Sequence, residues 1–485
     1  MPPVAAPPPV AAPIDPIFDQ GRPPMSPGAG LPAPAVYDAT PRAMRQRAAS
    51  FAAKRYVDML YVTGLDRATA DRHFRPRMVG LPGDLTATPA ADGTALRAAV
   101  AEGRFRVESD DAARRVTVRW ADPGFGPEVV AHAVAHPGYG GILLGPHTAP
   151  GFTPASLARP PAAPLWAEGA PAGAGALADA AAAVFAGSPG LYGLFLATPE
   201  RVLFERYGGF GGPGRVTPSW SMTKSMTATT IARLLHKGWL RSVYDRAPAP
   251  LWADPRGVHA AITIDDLLRM RSGLALPVLQ ADGTVTLGFE NSMVYQDAGD
   301  AFAAAQRSLV ATRPGAVFRY INAGVNVLGA IIRAEIERRG LPYHATLYGL
   351  LADRIGMGSF QYSADLAGNM IASGSGFATA RDYARLGVLY LQDGVWQGER
   401  LLPEGWVDYA LSSSHTGTNY AASFRTNQDA TFPSLPADTA WAVGASDQRI
   451  FILRGANMVA VVANETDFPM DLGALDRFLA VGIGG

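Results

Sequence analysis

The chain has 485 residues, with 42 acidic and 42 basic side chains. That balance argues against a basic surface for nucleic acid or another polyanion. The lack of any cysteine excludes disulfides, thiolate metal sites, a cysteine nucleophile and a lipid anchor on cysteine, while the length points to more than one domain. No stretch approaches the roughly 18 continuous apolar residues of a membrane helix. No basic segment followed by an apolar core opens the chain, so no signal peptide is visible. The cytoplasm is the default compartment on that reading, and the periplasm the alternative for a processed N-terminus.

Residues 1–36 carry twelve of the 40 prolines, interspersed with alanine and glycine. Such a segment favours extended chain and buries little, so it reads as a disordered or loosely docked tail. Residues 37–165 read as a small α+β module with its linker. Met44, Ala48, Phe51, Ala52, Tyr56 and Met59 recur at helical intervals and predict a helix over 40–62. Arg104–Glu108 and Arg115–Trp120 predict two strands around an Asp-Asp-Ala turn, and Tyr139–Leu144 a third. His132 and His136 stand four apart, which suits a metal on a helix face. No third ligand and no H-E-x-x-H pattern accompany them, so no metal and no other cofactor is predicted.

A linker rich in proline, alanine and glycine over 155–175 leads into the remaining domain, 166–485. A helix is predicted over 176–185, then a hairpin of Leu191–Ala197 and Val202–Tyr207. The glycine-rich stretch Gly208–Gly214 lacks a P-loop ending and reads as a flexible connection. After it comes Trp220-Ser221-Met222-Thr223-Lys224-Ser225, the start of an apolar helix that Gly238 stops. Ile262–Leu268 is a helix start with Thr263 or Asp265 as its cap. Residues 274–298 read as loop, with Tyr295 and Asp297 placed to border a substrate cleft. Helices are predicted over 299–310, 324–338, 379–392, 404–411 and 471–480, and a hairpin over 449–453 and 458–464. The order implies an α+β fold. One antiparallel sheet is assembled from both ends of the domain, with helices on its faces and a helical lobe beside it.

Ser221 and Lys224 lie three apart, on one face of their helix. A serine hydroxyl becomes a nucleophile when a nearby base takes its proton. A lysine can be that base once burial lowers its pKa. The chain has only three lysines, Lys54, Lys224 and Lys237, and its other basic residues are arginine, which cannot lose its proton. A lysine retained in an apolar helix start thus points to chemistry that arginine cannot perform.

From about Ala176 onward the chain resembles the serine β-lactamase and penicillin-binding-protein superfamily. Within it the nearest likeness is to class C-like serine hydrolases: esterases, D-aminopeptidases and 6-aminohexanoate-dimer (nylon oligomer) hydrolases. The W-S-M-T-K-S stretch carries that resemblance, together with Tyr320-Ile321-Asn322, a Y-x-N motif 96 residues after Lys224. The flanking phrases Ile262–Leu274 and Gly374–Trp406 fall in the family's order. The resemblance implies Ser221 as nucleophile, Lys224 as its base partner and Tyr320 as a second proton carrier. It implies Asn322 as a hydrogen-bond partner of Lys224 or of substrate.

The family's third motif, K-T-G or H-x-G, is where the chain departs. Gly444 fits the glycine, but no lysine or histidine precedes it in Trp441-Ala442-Val443-Gly444-Ala445-Ser446. His415-Thr416-Gly417 matches by letter but follows a short helix, and reads as a decoy. A backbone N–H at Ala445 or Ser446 is expected to complete an oxyanion hole with that of Ser221. Without the cation, small esters or linear amides are favoured as substrates. A β-lactamase, a D,D-peptidase or D-aminopeptidase, and a non-catalytic penicillin-recognising module are the alternatives. Oligomeric state is not legible.

Overall fold

The computed structural model describes residues 37–484 apart from 39, 74–98, 122–125, 161–163, 168–174, 253, 255–256, 280–281, 284, 289–298, 414–417 and 465–469. The tail 1–36, Tyr295 with Asp297, and His415-Thr416-Gly417 lie outside the described residues.

Strand β1 (Tyr37–Asp38) is followed by helix α1 (Pro41–Val57), with proline at its first turn, where no N–H is missed. One π turn, Asp58–Val62, extends it. Ala48, Ala49, Ala52 and Ala53 are all buried, and these small side chains let α1 lie close against a sheet. That sheet is β2 (Phe105–Asp110), β3 (Arg115–Trp120), β4 (Val129–His136) and β5 (Gly140–Gly145), antiparallel in that order. Val116, Val118 and Trp120 point inward while Arg115, Thr117 and Arg119 alternate outward, as a half-buried strand requires. His132 and His136 therefore sit on a strand, not on a helix. His132 Nδ1 lies 2.9 Å from Thr117 Oγ1 across the ladder.

Helix α2 (Ala176–Gly187) leads to β6 (Leu191–Ala197) and β7 (Val202–Tyr207). Every residue of β6 is buried, which marks a central strand. The short β8 (Thr217–Pro218) runs into α3 (Met222–His236). α4 (Ile264–Leu268) is closed by a capping box in which Thr263 and Asp266 bond each other's backbone N–H.

The next stretch corrects the loop reading of 274–298, because β9 (Leu274–Leu279) and β10 (Val285–Gly288) are strands. Pro277 removes a donor and argues locally against a strand. Tertiary pairing overrides it: β9 takes β1 as a parallel neighbour and β10 as an antiparallel one. The helix expected over 299–310 is shorter, α5 (Ala301–Gln306). The chain leaves it so that β11 (Leu309–Val310) can also pair with β9. α6 (Asn322–Glu337) is the long apolar helix, and α7 (Tyr343–Leu350) follows without having been anticipated.

β12 (Gln361–Tyr362) and β13 (Gly376–Ala378) pair with each other, and β13 pairs in turn with β8. After α8 (Ala380–Leu391), a small hairpin, β14 (Val395–Trp396) and β15 (Glu399–Arg400), precedes α9 (Trp406–Ala410). The chain ends with β16 (Arg425–Thr426), β17 (Ala440–Val443), β18 (Arg449–Leu453), β19 (Met458–Asn464) and α10 (Leu472–Gly484).

The main sheet runs β16-β17-β18-β19-β6-β7, antiparallel throughout. Its centre is the β19–β6 seam, where Val461 faces Phe195, so the two ends of the domain are stitched together as expected. On one face α2 and α10 cover Phe204, Trp441 and Phe451. On the other lies the larger core that includes α3, α6 and α8. Gly387 lets α8 approach this face, since a Cβ there would meet Val459 at 2.4 Å.

Candidate active site

The β8–β13 ladder delivers the chain to α3. The Ser219 N–H donates to Gly376 O at 2.7 Å, and the Gly376 N–H donates to Ser219 Oγ at 3.0 Å. Thr223 Oγ1 closes the loop at 2.6 Å from Ser219 Oγ. Trp220 then takes φ 45°, a left-handed backbone that is costly for a bulky residue. That sharp turn is held by the bonds on either side of it. It leaves Ser221, half-buried, at the N-terminal end of α3.

One helical turn later Lys224 points back along the same face. Its Nζ donates to Ser221 Oγ at 2.9 Å and to Ser373 O at 2.6 Å, and it shares a side-chain hydrogen bond with Tyr320. Lys224 is 1% exposed. Burial pushes its pKa below the ordinary lysine range, against the upward pull of the Tyr320 oxygen. Among the described residues no carboxylate pairs with it.

Tyr320 precedes the extended residue Ile321, which starts α6. Its ring centroid lies 5.0 Å from Lys224 Nζ, and the residue is half-buried. Tyr420 packs edge-on against it at 5.9 Å, and Phe318 packs on Tyr420 at 5.4 Å. Burial first, and then the nearby Tyr320, push Tyr420 well above the usual phenol range and hold it protonated. Asn322 is buried in the first turn of α6. Asn326, one turn on, donates to Ser373 Oγ at 3.2 Å and accepts from the Ala372 N–H at 3.2 Å, beside the carbonyl that receives Lys224.

β17 brings Gly444 against the turn from the opposite side. A Cβ on Gly444 would stand 2.1 Å from Ser219 O, so only glycine allows this approach. Ala445 and Ser446 follow in a tight turn in which Ser446 takes φ 67°. Asn464 Nδ2 donates to Ser446 O at 3.0 Å and the Gly444 N–H to Gln448 O at 2.8 Å. The structure thus gathers Ser221, Lys224, Tyr320 and Gly444 around one point. Tyr295 lies outside the described residues.

Sequence reasoning missed Ser373, Asn326 and Tyr420. Ser373 acts through its carbonyl, which no side-chain pattern reveals. Asn326 is one turn beyond Asn322 and shares its face, which was the available signal. A cavity of about 960 Å³ opens elsewhere, between the N-terminal sheet and the main domain, near Tyr61, Arg114 and Arg215. Neither Ser221, Lys224 nor Tyr320 lines it, so hydrogen-bond geometry, not cavity size, marks the candidate site.

A buried lysine without a carboxylate partner, bonded to a serine at a helix start, can take up a hydroxyl proton. A tyrosine beside the lysine can relay it. The family model described as Beta-lactamase matches residues 177–480, and the chain belongs to that family. No curated protein matches the chain. Among solved structures it is similar to a protein of Bacillus anthracis provisionally assigned as a 6-aminohexanoate-dimer hydrolase. The two are 17% identical with TM-score 0.51, over 62% of this chain and 81% of that one. It is also similar to a provisionally assigned beta-lactamase of Bacteroides dorei, at 17% identity and TM-score 0.50, over 64% of this chain and 99% of that one. Both likenesses concern the fold, that of the β-lactamase-type hydrolases.

Proposed function

We propose that the chain is a serine hydrolase that cleaves an ester or linear amide through an acyl-enzyme on Ser221. The observation that carries this reading is the 2.9 Å bond between Ser221 Oγ and a buried Lys224 with Tyr320 beside it. The Ser221 proton passes to neutral Lys224 as Oγ bonds to the substrate carbonyl carbon. The N–H groups of Ser221 and of Ala445 or Ser446 receive the oxyanion. Tyr320, recharged through Lys224, protonates the leaving alcohol or amine as the acyl bond breaks. The same pair then takes a proton from water, which attacks the acyl-enzyme and returns Ser221. A 6-aminohexanoate-dimer-type amidase or a carboxylesterase suits the site better than a β-lactamase or D,D-peptidase. Ala442 and Val443 precede Gly444 and supply no cation for a substrate carboxylate.

A panel of p-nitrophenyl esters, the linear aminohexanoate dimer, D-alanyl peptides and nitrocefin tests the reading on purified protein. The expected pattern is ester or linear-amide turnover with a burst, and a fluorophosphonate adduct on the Ser221 peptide by mass spectrometry. Ser221→Ala should lower turnover by about 10³-fold or more. Ester hydrolysis that survives that substitution sinks the proposal. A stable adduct with no turnover of any substrate favours a binding module instead.

A further inference from the structure

Helix α1 lies outside residues 177–480, yet it reaches the turn that presents Ser221. Arg55, buried on α1, sets its guanidinium 5.1 Å from the Trp220 ring. One residue earlier, Lys54 pairs with Asp58 and donates to Ser363 Oγ at 3.0 Å. All three of these side chains are buried. The Gly141 backbone lies against Asp58, and a Cβ on Gly141 would sit 2.3 Å from that carboxylate.

Ser363 is a branch point. Its N–H donates to Ser375 O at 2.8 Å, and its carbonyl accepts from the Ile371 N–H at 2.9 Å. Two residues past Ile371 stands the Ser373 carbonyl that receives Lys224. One residue past Ser375 stands Gly376, which binds Ser219. The segment 363–376 thus runs from the Lys54 contact to both halves of the Ser221–Lys224 pair. We propose that α1 is a positioning element of the Ser221 site. In that role Lys54 and Asp58 fix the 363–376 segment and Arg55 fixes Trp220. The inference rests on the serine-hydrolase reading above.

Physical chemistry favours this over a plain clamp. A buried ion pair adds little stability over well-packed apolar side chains of the same volume. What it adds is direction, since the ammonium must face both Asp58 and Ser363 to be satisfied. Misplacing a reacting group by about 1 Å can slow a reaction by about 10²-fold.

The test separates stability from positioning in the full chain. Lys54→Met/Asp58→Leu removes both charges together and leaves an apolar contact. Ser363→Ala removes the acceptor alone. Thermal melting and near-UV circular dichroism read the fold. Ester kinetics and the rate of Ser221 labelling by a fluorophosphonate read the site. The expected result for both variants is a melt close to wild type, kcat and labelling rate lowered about tenfold, and KM little changed. Wild-type kcat and labelling in a folded Ser363→Ala protein overturn the inference, whether or not the double variant folds. A wild-type chain that neither labels nor turns over any ester or amide sinks the hydrolase reading, and the inference with it.

Discussion

Lys54 and Lys224 are both buried, and their surroundings differ in one respect. Lys54 faces the carboxylate of Asp58, whereas Lys224 faces two hydroxyl oxygens and a backbone carbonyl. Burial pushes Lys54 down and Asp58 up, each toward its neutral form, and their contact draws both back toward charge. Lys224 has no such compensation beyond Tyr320, itself an uncharged group until it gives up its proton. One lysine has a carboxylate to hold it in position, and the other has none. Removing each should damage a different property.

The largest expected effect is that of Lys224→Met on activity. Loss of the base partner should reduce kcat/KM for a p-nitrophenyl ester by about 10³-fold. The melting temperature should stay within a few degrees or rise, because a buried amine with no carboxylate partner leaves the interior. A variant that keeps most of its activity would break the comparison at its functional end. Next comes Lys54→Met, which strands Asp58 in the interior. Breaking one side of a buried pair is destabilising by about 3–5 kcal/mol, to be read from the urea midpoint. Unchanged stability would show that Asp58 is easily neutralised once its partner is gone.

The pH profile gives a further contrast. The base form of Lys224 is the neutral amine, so kcat/KM should rise with pH through its lowered pKa and level off above it. That limb should fall below the ordinary value of 10.5. Stability follows the same sign. Between the lowered folded pKa and the ordinary unfolded one, the unfolded chain binds the extra proton, so stability grows as pH rises. A limb at or above the ordinary lysine value would place the working proton elsewhere.

Much of this arrangement was legible in the chain, and for identifiable reasons. The Ser221 helix, the 191–207 hairpin and the C-terminal hairpin are local patterns whose partners lie nearby in sequence or follow a strict alternation. That strands from both ends of the domain join one antiparallel sheet followed from the order of the elements, whereas the particular pairing of β19 with β6 is a finding of the structure. β9 was lost because Pro277 interrupts its pattern and two of its three partners, Tyr37–Asp38 and Leu309–Val310, are distant in sequence, while the third, Val285–Gly288, is a local hairpin partner. The scarcity of lysine drew attention to Lys224, and Lys54 satisfied the same criterion unnoticed. Its meaning depends on Ser363, 309 residues away. Ser221 and Lys224 were readable because they share a helix face, and Tyr320 and Gly444 because they stand where the family's motifs fall. The carbonyl of Ser373 and the left-handed turn at Trp220 were not, because backbone geometry leaves no mark in side-chain type.

The smallest effect calibrates the others. Thr263 caps α4 by accepting from the Asp266 N–H at 3.0 Å, while Asp266 accepts from the Thr263 N–H at 3.0 Å. Thr263→Ala removes one half of that exchange and strands no buried charge, since Asp266 keeps Arg271 at 3.1 Å. The expected loss is about 1 kcal/mol, with ester turnover unchanged. If Lys54→Met proves no more destabilising than this cap, the Lys54–Asp58 pair behaves as an ordinary hydrogen bond. A several-fold larger loss assigns the difference to the charge left buried on Asp58, the property that distinguishes Lys54 from Lys224.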